Sequence, residues 1–177
     1  MTRRVVTGVD ANGKSVFVND AELDVTTLTL LPGTAISEVW ASALVPTGRT
    51  SIASPGMATY FPPPGGVRYG LWTFPPEEGA GVLPDGVDIG AALGELEATL
   101  PGLSAHMEPD SPGMHTTQTV DVGLVLSGEI DLELDDGAFT HLSAGDFVIQ
   151  NGTRHAWRNR SGAPTTMAFV LIGTQLD

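Results

Sequence analysis

The feature that most restricts the fold is the period-two pattern that runs from Met114 onward. Aliphatic residues alternate through VDVGLVLSGEIDLEL, and FTHLSAGDFVIQ, RHAWRN and TMAFVLIG complete a set of short strands. A period of two sends successive side chains to opposite faces of a strand, which a helix cannot reproduce. Asp136-Gly137 supplies a hairpin turn between two of these runs. Short strands at regular spacing, broken by Gly and Asp turns, predict a sandwich or barrel. No internal repeat divides the pattern, so one barrel is expected.

The N-terminal half adds strands and one helix. VVTGVDANGKSVFV reads as a hairpin about Asn12-Gly13, and TLTLLPG, ISEVWASALVP and VRYGLWTFPP read as further strands. In the last of these Gly70, Trp72 and Phe74 share a face. Residues 51–66 are rich in Pro, Gly and Ser and predict a long loop, a candidate lid. DIGAALGELEATLPGL predicts the one helix, with Asp88 at its start and Pro101-Gly102 at its end. Ile89, Leu93, Leu96 and Leu100 form its apolar stripe, which predicts packing on the barrel exterior. The expected division is 1–105 for strands, loops and helix that extend the sheets, and 106–177 for the barrel core, within one structural domain.

With 177 residues, 41% of them hydrophobic and 16% charged, the chain can bury a sizeable core. A formal charge of −13 argues against nucleic acid or an anionic membrane as partner. There is no cysteine, so disulfides, thiolate metal sites and cysteine nucleophiles are excluded. No apolar run reaches the ~20 residues of a membrane span. A cytoplasmic protein with a small-molecule ligand is the expectation.

The chemistry-bearing residues fall on two strands. His115, Thr117, Thr119 and Asp121 point one way, while Thr116, Gln118, Val120 and Val122 point the other. His155, Trp157 and Asn159 share a face, and Arg154, Ala156 and Arg158 take the opposite, solvent side. If both polar rows aim inward, the barrel mouth holds two imidazoles and a carboxylate. Such a set can hold a divalent first-row metal, iron, zinc or manganese, with positions left open. Without a metal it can serve as general acid and base. His141 faces solvent, since its neighbour Leu142 faces the core. His106, near Glu108 and Asp110, is a loop histidine that could close over the mouth.

These residues resemble the two motifs of the cupin superfamily. The first is matched by Gly113, His115, Asp121 and Gly128, with Thr117 in place of a second histidine. The second is matched by Gly145-Asp146, Gly152, His155 and Asn159, with Gln150 in place of a proline. The resemblance covers roughly Gly113 to Gly173. It implies an all-β, jelly-roll-type barrel with an N-terminal strand extension. It also implies His115, Asp121 and His155 as catalytic or metal-binding residues, and Thr117, Thr119, Trp157, Asn159 and Trp72 as substrate-binding residues. The expected activity is that of a lyase or isomerase on a modest-sized organic molecule. A metal-dependent dioxygenase or decarboxylase and a non-catalytic binding protein stand beside it. A homodimer is expected, with the Asn12-Gly13 hairpin as the crossing element.

Overall fold

The computed structural model describes residues 2–44, 57–78 and 82–175. Among them the chain runs β1 (Arg3–Val9), β2 (Ser15–Glu22), β3 (Thr26–Leu28), β4 (Leu31–Ser42) and β5 (Val67–Phe74). Helix α1 (Ile89–Thr99) follows, then β6 (Thr119–Ser127), β7 (Glu129–Glu133) and β8 (Phe139–Ser143). The chain finishes with β9 (Phe147–Asn151), β10 (Ala156–Arg158) and β11 (Thr165–Gly173).

The strands form a six-stranded sheet in the order β3-β4-β5-β11-β6-β9, a three-stranded sheet β10-β7-β8 and a separate β1-β2 hairpin. Val125, Met167, Phe169 and Leu171 of the large sheet meet Ile130, Leu132 and Leu142 of the small one in a single buried cluster. β5 pairs with β11 along its length, so N-terminal strands extend the sheet built by the C-terminal half.

Turn chemistry makes the sheets possible. Gly128 joins β6 to β7 at φ +79°, and a Cβ there would lie 2.5 Å from the Thr165 hydroxyl. That hydroxyl accepts from the Glu129 amide and donates to the Glu129 carbonyl, which ties the turn to β11. In the β1-β2 hairpin the Asp10 carboxylate accepts from the amides of Asn12 and Lys14. Arg4 joins that hairpin to β4 by donating to the Val39 carbonyl at 3.0 Å.

Helix α1 starts where expected, with the Asp88 carboxylate accepting from the Ala91 amide at 3.1 Å. Its buried face differs from the expected stripe. Ala92, Leu96 and Leu100 are buried, whereas Ile89 and Leu93 remain 49% and 45% exposed. The helix lies on the exterior, with only Ala92 and Leu96 of its own residues buried. The C-terminal part of the helix closes one end of the space between the sheets, because Leu96 and Leu103 line the cavity there. The amide of Tyr60 donates to Pro101 at 2.7 Å and anchors this end.

Candidate functional site

A cavity of about 560 Å³ lies within the sandwich. Its walls are mainly apolar: Trp72 and Phe74 come from β5, Trp157 from β10 and Phe169 from β11. Trp72 stacks on Phe74 at 5.9 Å between ring centroids, and Trp157 meets Phe169 edge-on at 5.4 Å.

Two histidines are brought together by backbone pairing. His115 lies before β6 and His155 before β10, and each amide donates to the other's carbonyl, at 2.9 and 3.0 Å. Their rings stand 4.2 Å apart. Nδ1 of His115 contacts the Gly113 carbonyl at 3.0 Å, and Nδ1 of His155 the Thr153 carbonyl at 2.9 Å. A carbonyl only accepts, so Nδ1 carries the proton in both rings and Nε2 is left bare. Burial pushes His155 down to about 4, with the neighbouring His115 adding to the effect. Burial also lowers His115. Both rings are neutral at pH 7 and leave Nε2 unprotonated.

Asp121 lines the same cavity but stands apart from the histidines. It is 7% exposed, and its Oδ1 has no hydrogen-bond partner among the described residues. Burial raises its carboxyl to about 6, against the opposing effect of the Thr119 hydroxyl. Its electrostatic neighbour is Tyr60, which burial pushes up to about 12. The Tyr60 hydroxyl accepts from Trp72 Nε1 at 2.8 Å. Arg68 holds the same residue, with its guanidinium 4.6 Å from the ring and Nε donating to the Tyr60 carbonyl.

The expected ligand set of His115, Asp121 and His155 does not come together. Among the described residues no three His, Asp or Glu side chains are grouped to hold a metal ion. The two imidazoles meet across the His115–His155 bridge, while Asp121 sits within β6 and pairs with Leu171 and Gln150. His106 does not complete a set either. Its Nδ1 donates to the Thr116 carbonyl at 3.0 Å, and its ring packs edge-on against Phe61.

Several other expected residues take different roles. Thr117 and Thr119 are on the buried side, as their parity requires, yet they do not line the cavity. Their hydroxyls bond to each other at 2.8 Å, which satisfies both under the sheet. Asn159 lines the cavity, but its amide is used elsewhere. Nδ2 donates to the carbonyls of Phe74 and Ala163, and Oδ1 accepts from the Ser161 amide and hydroxyl. The solvent face expected for Ala156 and Arg158 is corrected too. Ala156 is fully buried, and Arg158 lies at the cavity wall, donating to Glu133 at 2.6 Å and to the Pro112 carbonyl at 2.8 Å. The reason is local: Gly113 passes over both, at φ +83°, so close that a Cβ would lie 3.1 Å from the Arg158 guanidinium. Arg154 pairs with Glu108 and Asp135, and Arg160 with Asp131. His141 is half exposed and paired with Asp131.

Sequence reasoning missed Tyr60 and Phe61, which line the cavity from the segment expected to be a loop. The available signal was an adjacent aromatic pair in a stretch otherwise rich in Pro and Gly. Residues 51–56 of the candidate lid lie outside the described residues.

Residues 104–172 match the family described as Cupin domain. The likeness to cupins applies to this segment, 69 of the 177 residues. The matched segment contains both histidines and Asp121. Phomopsin biosynthesis cluster protein C' of Diaporthe leptostromiformis is 56% identical over 60 residues, 33% of this chain and 32% of that one. The cupin-domain-containing oxidoreductase srdB of Neurospora crassa is 32% identical over 109 residues, 54% of this chain and 56% of that one. The match thus spans about a third to about half of the length of these relatives. A Cupin 2 conserved barrel domain protein from Salinispora arenicola aligns with a TM-score of 0.44 at 16% identity, over 87% of this chain and 90% of that one. No described helix is long and apolar enough to cross a membrane.

Proposed function

We propose that this cupin domain is a proton-transferring enzyme of the lyase or isomerase kind, acting on a modest-sized carbonyl-bearing organic molecule. The observation that carries the reading is the pair of histidines, one buried and one half-buried, whose Nδ1 atoms are both committed to backbone carbonyls. Both rings then offer Nε2 to a cavity of about 560 Å³ with aromatic walls, large enough for a substrate of one or two rings. A neutral imidazole held in one tautomer is a competent base, worth roughly 10²–10⁴-fold in rate. In the mechanism, His155 Nε2 takes a proton from the carbon next to the substrate carbonyl, and His115 holds or relays the proton through its own Nε2. The electron pair moves toward the carbonyl oxygen, and return of the proton at another atom completes an isomerisation. Loss of a neighbouring hydroxide as water gives a dehydration instead. The apolar walls exclude water from the intermediate.

The test is deuterium wash-in. The protein in D₂O is given a panel of cyclic and aromatic ketones, and exchange next to the carbonyl is followed by NMR. Exchange that falls by about 100-fold or more in His155→Gln, and that survives a chelator, supports the reading. Absence of exchange with every ketone sinks it.

A redox activity is the second reading, favoured by relatives named cupin-domain-containing oxidoreductases. Exchange or turnover that needs oxygen and dies with chelator would move the assignment there.

A further inference from the structure

The histidine chemistry leaves the Asp121 carboxyl without a use. It does not orient either imidazole, since backbone carbonyls do that. Yet its Oδ1 is buried, borders the cavity and has no partner. An acceptor in that state costs about 1–3 kcal/mol until a donor reaches it. Tyr60 presents the complementary deficit. Its hydroxyl oxygen is taken by the Trp72 N–H, and its own proton has no acceptor among the described residues. The ring cannot swing away, because Trp72, Arg68 and the Pro101 carbonyl hold the residue on three sides.

We infer that Asp121 and Tyr60 form a recognition site for a neutral ligand group that carries a donor and an acceptor side by side, as an unsubstituted amide or a lactam does. The ligand N–H donates to Asp121 Oδ1 and its carbonyl accepts from Tyr60. An anionic group meets the Asp121 carboxylate and is rejected. A cationic group suffers the same desolvation that keeps the two histidines neutral. The inference rests on the proposed function only for the idea that a substrate enters this cavity.

Isothermal titration of the full chain with benzamide, N,N-dimethylbenzamide and benzylamine tests it. Benzamide should bind about 10-fold tighter than the dimethyl probe, the worth of one hydrogen bond to a charged acceptor. Asp121→Ala should abolish that preference. Tyr60→Phe, which keeps the ring, should weaken benzamide about 5- to 10-fold. Equal affinity for the two amides, a preference that survives Asp121→Ala, tighter binding of benzylamine, or no binding of benzamide at millimolar concentration would each overturn the assignment. Equilibrium binding needs no proton transfer. A His155→Gln protein that keeps the preference but loses exchange therefore separates this inference from the proposed reaction.

Discussion

The two polar clusters of the cavity are built by opposite means. The histidine pair is over-determined: two backbone hydrogen bonds join the strands, and one carbonyl fixes each ring. Asp121 is under-determined, with one oxygen unpaired and a hydroxyl proton nearby left over. The first arrangement suits a group that must present one nitrogen reproducibly. The second suits a group whose partner arrives with the ligand. Burial shifts both, and in opposite senses, toward the neutral form.

The largest effect expected from this contrast is on chemistry. His155→Gln should lose about 100-fold or more of exchange, while Asp121→Asn loses less, because it changes binding and not the base. Exchange measured at saturating ketone distinguishes them, and a larger loss in Asp121→Asn would break the contrast. Next comes stability against pH. The folded Asp121 carboxyl is raised from 3.8 to about 6, so the folded chain holds the extra proton in that window. Its contribution falls as pH rises through the window and is then level. The folded His155 is lowered from 6.5 to about 4, so its contribution grows as pH rises from about 4 to 6.5. Each change is worth ~3 kcal/mol at most, and in the parent the two nearly cancel. Urea titrations should therefore show Asp121→Asn more stable than the parent at pH 7, with no difference below about pH 4. His155→Gln should instead lose stability between about pH 4 and 6, where the slope of Asp121 is left alone. Parallel pH profiles for the parent and both variants would disprove the opposition.

A smaller effect sharpens the boundary of the site. Asn159→Ala should destabilise by ~1–3 kcal/mol, since it frees the carbonyls of Phe74 and Ala163, and should leave the amide preference unchanged. The smallest is Thr117→Val, expected to cost ~1 kcal/mol with no change in ligand selection. A large loss of binding in either variant, measured by titration with benzamide, would return these residues to the ligand.

Much of the fold was legible because strand parity and turn residues are local properties. The Asn12-Gly13 hairpin, the Asp88 cap and the Asp136-Gly137 turn all lie where the sequence places them. Parity also put Thr117, Thr119 and Asp121 on the buried side. It failed at Ala156 and Arg158, because period two says which way a side chain points and not what covers it. The covering piece is Gly113, more than forty positions away in sequence.

The sequence by itself determined an all-β chain with two histidines and one acid on inward faces, because alternation and turn chemistry act over a few residues. Only the tertiary structure decided that the histidines meet each other and not Asp121. It also recruited Tyr60 from a loop, turned α1 to cap the cavity and spent the Asn159 amide on two carbonyls. Those outcomes depend on register between distant strands and on which buried polar atoms find partners, and neither is written in any local pattern.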